Sequence, residues 1–101
     1  MSVLVSLKVP GNVDTFTRSL EERAEEFKQI GDSAQEAGAI HHQFAVGPDY
    51  VLVVDEWESG EQFQTFFSDP KLQAFIGEIG GDASAQPDIT IGTSIDSPDR
   101  F

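Results

Sequence analysis

The chain has 101 residues, 39% of them apolar, with eight phenylalanines, one tryptophan and one tyrosine, which suits one domain (1–101) built on one hydrophobic core. Eighteen acidic against six basic residues give a formal net charge of −12, a field that repels phosphates and anionic headgroups and argues against nucleic-acid and membrane partners. With no cysteine, disulfides, thiolate metal sites and a cysteine nucleophile are excluded, and two histidines cannot supply a three-histidine metal site within one chain.

The longest apolar run, Tyr50 to Val54, falls far short of the roughly 20 residues of a membrane span. The N-terminus lacks the basic, apolar and small-residue order of a signal peptide, so a soluble, cytoplasmic chain is expected.

Val3, Val5, Leu7 and Val9 alternate with other residues at the period of a strand, which Pro10-Gly11 ends. Asn12 is a good N-cap for a long amphipathic helix whose apolar stripe runs through Val13, Phe16, Leu20, Ala24, Phe27, Ile30, Ala34 and Ala37. Gly31-Asp32 is the expected place for a kink or split, and Gly38 is placed to cap the end. Ala39 to Val46 and Tyr50 to Trp57 read as two strands of a hairpin about the turn Gly47-Pro48-Asp49. Ser59 with Gln62 fits a capping box ahead of a helix with Phe63, Phe66 and Phe67 on one side. Ser68-Asp69-Pro70 restarts that helix, Leu72, Phe75, Ile76 and Ile79 continue its apolar face, and Gly80-Gly81 stops it. After a polar loop to Pro87, Ile89, Ile91 and Ile95 alternate with polar neighbours as a last strand; Asp96 to Phe101 carries no pattern.

The order βαββαβ predicts an α+β, ferredoxin-like sandwich: a four-stranded antiparallel sheet with two helices on one face. The uncovered face should then alternate to polar, yet Val51 to Val54 is apolar on both sides, and Leu4 and Ala45 join the second side. The simplest cover is a second copy, so a homodimer through the open sheet face is expected, although monomers too carry mildly apolar faces.

The runs Gly38-Ala39-Ile40-His41-His42-Gln43-Phe44 and Val53-Val54-Asp55-Glu56-Trp57-Glu58-Ser59, followed by Phe63, Phe66-Phe67, Asp69-Pro70 and Gly80-Gly81, resemble the antibiotic biosynthesis monooxygenase-like proteins of the dimeric α/β-barrel superfamily. The resemblance spans Val3 to Ile95 and is most specific at Asp-Glu-Trp-Glu-Ser with Phe-x-x-Phe-Phe. It implies a dimer with sheets face to face and a ligand pocket between sheet and helices in each subunit. Members include cofactor-independent oxygenases of polycyclic phenols and quinols, and haem-degrading oxygenases. The haem branch would place an asparagine on the first strand, a tryptophan at the end of the third and a histidine on the second helix. Trp57 matches, but the first strand has no asparagine and no histidine lies between Ser59 and Gly80, which argues against haem degradation.

Hairpin register decides which side chains meet. Pairing Val46 with Val51 sets Phe44 against Val53, His42 against Asp55 and Ile40 against Trp57 on the helix-facing side, with His41 against Glu56 on the other. Pairing Val46 with Tyr50 instead sets His41 against Asp55. In the first register His42 is a candidate base and Asp55 the group that fixes its tautomer, both candidate catalytic residues. Phe44, Trp57, Phe63 and Phe67 are candidate substrate-binding residues, with Phe16, Phe27 and Phe75 as further aromatic walls. Tyr50 is a secondary candidate.

Such a pocket suits oxygenation without metal or flavin, in which a deprotonated phenol itself donates the electron to oxygen, and no motif calls for a cofactor. The ligand would be a small hydrophobic or aromatic molecule, planar or phenolic. The same residues also fit a non-catalytic binding module, a proton-moving enzyme such as a lactone isomerase or polyketide cyclase, or a structural homodimer whose His42–Asp55 pair only braces the sheet. No metal site is expected, because adjacent strand residues such as His41 and His42 point to opposite faces.

Overall fold

The computed structural model describes residues 1–82 and 84–101. Among them the order is β1 (Val3–Pro10), α1 (Val13–Glu22), α2 (Ala24–Ala37), β2 (Ala39–Val46), β3 (Tyr50–Trp57), α3 (Gly60–Phe67), α4 (Pro70–Glu78) and β4 (Asp88–Thr93). The strands form one antiparallel sheet in the order β2-β3-β1-β4, the expected ferredoxin-like arrangement. Ala83, in the polar loop before β4, lies outside the described residues.

Local chemistry sets the helix boundaries much as expected. Asn12, Ser59 and Asp69 each accept a backbone N–H at a helix start, from Thr15, Gln62 and Lys71 respectively. Gly38 ends α2 with φ 120°, where a side chain would be strained. The break in the first helical stretch, however, falls at Arg23 and not at Gly31-Asp32. Arg23 leaves the helical basin (φ −124°, ψ 32°), while Gly31 lies inside α2 with open space where a Cβ would stand. The reason is tertiary. The Arg23 guanidinium is held by Glu26 in α2 and by Glu78 in α4, at 3.1 Å, and lies over the Phe75 ring.

The sheet face toward the helices carries Val5, Leu7, Val51, Asp55 and Trp57, all buried. Apart from Leu7, the buried apolar residues among those described fall into two clusters rather than one. Val5, Ala34, Trp57 and Phe63 make the first, and Phe16, Val51, Phe75 and Ile79 the second. β4 ends at Thr93, so Ile95 lies outside the strand and is exposed, unlike the sequence expectation. No helix among the described residues is long and apolar enough to cross a membrane.

Candidate active site

The β2–β3 hairpin settles which histidine faces the helices. Val46 pairs with Val51, Phe44 with Val53, His42 with Asp55 and His41 with Glu56, so the turn adopts the first of the two registers. Period-two alternation then directs His42 and Asp55 to the helix side and His41 and Glu56 to the open side. One pairing differs from expectation. A bulge between Ala39 and His41 puts Ala39, not Ile40, opposite Trp57. Ile40 is left 55% exposed, and a methyl group stands where a branched side chain was expected.

Asp55 is the centre of the site. Its Oδ1 lies 2.7 Å from His42 Nδ1, and its Oδ2 accepts the indole N–H of Trp57 at 3.0 Å. An ionised carboxylate accepts from both neighbours, an arrangement that places the proton of a neutral imidazole on His42 Nδ1 and leaves Nε2 as the acceptor. Asp55 and Trp57 are 6% and 1% exposed, whereas the His42 side chain is 43% exposed and reachable from outside. Among the described residues every buried side-chain polar atom has a partner.

These three residues stand on the wall of a cavity of about 130 Å³ between sheet and helices. All the side chains put forward from the sequence as substrate-binding line it: Phe44, Trp57, Phe63 and Phe67. So do Phe16, Phe27 and Phe75: Phe16 and Phe27 meet each other and Phe44 edge to face, and Phe75 meets Phe27 in the same way. At the other end Phe63 and Phe67 stack at 5.5 Å, and Trp57 packs against Phe63 and Phe66. Both buried clusters therefore contribute walls, and the cavity is the space they leave between them. Tyr50 does not belong here: its ring lies against Gly47 at the turn, beneath the Lys8 ammonium.

Sequence reasoning missed several lining residues. Ala34 and Ala39 present only methyl groups and so make room, while Gly11, Gly80 and Gly81 form part of the wall with backbone. Gly11 has to be glycine because a Cβ there would stand 2.3 Å from the carbonyl oxygen of Gly80. A pair of glycines after a helix signals a stop, but the partner across the gap is visible only in three dimensions. Among the described residues no cluster of three metal-ligating side chains occurs.

No family model matches the sequence, and no curated protein does. Solved structures match over almost the whole chain. One is SnoaB, a cofactor-independent oxygenase from Streptomyces nogalater, with 8% identity, 98% of each chain covered and a TM-score of 0.63. Another is a monooxygenase from the ActVA-Orf6 gene of Streptomyces coelicolor, in complex with Nanaomycin D, with 18% identity over 95% of this chain and 89% of that one, and a TM-score of 0.66. The fold is that of the antibiotic biosynthesis monooxygenases. A dimeric ferredoxin-like protein from an uncultured marine organism shares the same frame at 18% identity, 99% and 93% coverage and a TM-score of 0.64. At such identities the antibiotic biosynthesis monooxygenase fold is common ground, and the chemistry has to be argued from the site.

Proposed function

We propose that this chain is a cofactor-independent monooxygenase of a planar phenolic molecule, acting as a homodimer. The observation that carries the reading is the buried Asp55 carboxylate gripping His42 and Trp57 on the wall of an apolar cavity. His42, with Nδ1 committed to Asp55, offers Nε2 as the base that takes the phenol proton. The phenolate then reduces dioxygen and bonds to it through a ring carbon, and the proton returns from His42 to the peroxide. Loss of the hydrogen on that carbon and cleavage of the O–O bond release water and leave a quinone. One oxygen atom ends in the product and the other in water, and the substrate supplies the electrons. The aromatic walls shield the bound ring from water on the side away from His42.

Dimerisation is supported by the open sheet face, where Leu4 and Val54 are 53% and 44% exposed, and by the dimeric neighbour of like fold.

The test is oxygen uptake with an electron-rich hydroquinone, comparing the native chain with His42→Ala. Removal of the base is expected to lower turnover by about 10²- to 10⁴-fold with the fold retained. Equal rates in the two proteins would refute the assignment. A second reading, a module that binds the same ligand without turning it over, draws support from the exposure of His42, where water competes for the ring. It predicts ligand binding with no oxygen uptake in either protein.

A further inference from the structure

The cavity's size and wall chemistry narrow the ligand, provided that it is the substrate pocket proposed above. We infer that the molecule it accepts is a neutral phenol with a single ring.

Volume is the first argument. An apolar cavity of about 150 Å³ is known to admit benzene, whereas pockets for drug-sized ligands span roughly 300–1,000 Å³. At about 130 Å³ this cavity belongs with the first. Its two ends are core: Trp57 and Phe63 are buried at one and Phe16 and Phe75 at the other, so a second fused ring lying along the line between them has to displace close-packed side chains.

The second argument is polarity. Among the described residues only His42, Asp55 and Trp57 bring side-chain polar atoms to the wall, and Asp55 is already bonded to the other two. A ligand therefore finds one place for a hydroxyl and apolar surface elsewhere.

Charge is the third. Among the described residues the wall holds no lysine or arginine. The groove that shares Ile30, Phe66, Leu72 and Phe75 with the cavity bears Glu26 and Asp69 against Lys71, within a chain of net charge −12. An anionic substituent is repelled on approach and unpaired on arrival. A phenol arrives neutral and is ionised only beside His42.

Calorimetric titration of the native protein with p-cresol, 2-naphthol and 4-hydroxybenzoate tests this, with backbone amide shifts locating each ligand. Expected is p-cresol binding at the cavity at least tenfold more tightly than either competitor. In Phe67→Ala, which opens one wall, 2-naphthol should gain affinity relative to p-cresol. Leu72→Ala, at the wall shared with the groove, provides the same comparison if the first variant fails to fold. Tighter binding of 2-naphthol to the native cavity would overturn the ring-size inference and leave the pocket reading standing. Equal binding of 4-hydroxybenzoate would overturn the neutrality. If neither phenol shifts the amides around the cavity, the pocket reading itself falls, and this inference with it.

Discussion

The indole N–H of Trp57 donates 3.0 Å to Asp55, its neighbour two residues back on the same face of β3, and this bond holds the carboxylate that faces His42. The alternation of a strand brings the two together without any long-range device. In Trp57→Phe the ring's bulk is largely kept but Asp55 loses one of two partners in a site only 6% exposed. Urea denaturation should show a loss of about 1–3 kcal/mol, the usual penalty for a buried polar group left short of a partner. An unchanged midpoint would mean that water replaces the indole.

Arg23 fastens the α1–α2 junction to α4. It donates to both Glu26 oxygens, reaches Glu78 at 3.1 Å and lies 4.6 Å over the Phe75 ring. The Glu26 bond, with Glu78 assisting, raises the guanidinium's proton affinity further, and in return Arg23 holds the Glu26 carboxyl below its ordinary range. A lowered folded-state value means stability that is full above the unfolded carboxylate range and fades as pH falls through and below it. Arg23→Met should lower Tm at pH 7, and the gap from the native chain should shrink below about pH 4 as Glu26 becomes protonated. A gap independent of pH would assign the loss to packing on Phe75 alone.

Ala39 faces Trp57 because the strand bulges beside it. Ala39→Leu puts a larger side chain into the cavity, so p-cresol affinity should fall by more than tenfold. Chemical denaturation should change by less than about 3 kcal/mol, since filled space offsets part of the overpacking penalty. Undiminished binding would show that the ligand sits away from Trp57.

Val54 and Leu4 lie on the side of the sheet that no helix covers. Val54→Arg is expected to convert a dimer to a monomer in sedimentation velocity while leaving the circular dichroism of the fold unchanged. A native chain that sediments as a monomer at micromolar concentration would remove the dimer from the proposed function.

The parts of this protein that a periodicity encodes were readable from the chain. Val3 to Val9 and the two arms of the hairpin show period two, and the stripes through Phe16, Phe27 and Ala34 and through Phe63 and Phe75 show the helical spacing. The pairing of His42 with Asp55 was one of two registers the turn allowed, and Val46 opposite Val51 selects it only in the folded hairpin. The bulge did not, because Ala39 and Ile40 are both apolar and either can be written into a strand. The break at Arg23 was hidden for a different reason. Neither glycine nor proline marks it, and it is anchored by Glu78, distant in sequence. Gly31-Asp32, which does carry a breaker, stays helical because α2 supports it on both sides.

The hairpin thus separates two properties that share one strand. The turn at its tip decides which imidazole faces inward, since slipping it by one residue would exchange His42 for His41. The extra residue at its base decides how wide the chamber is beside the indole, and can be altered without moving the histidine. A lineage of such proteins could change the girth of its ligand by insertions near Ile40 and its proton chemistry by changes near Pro48, each leaving the other intact.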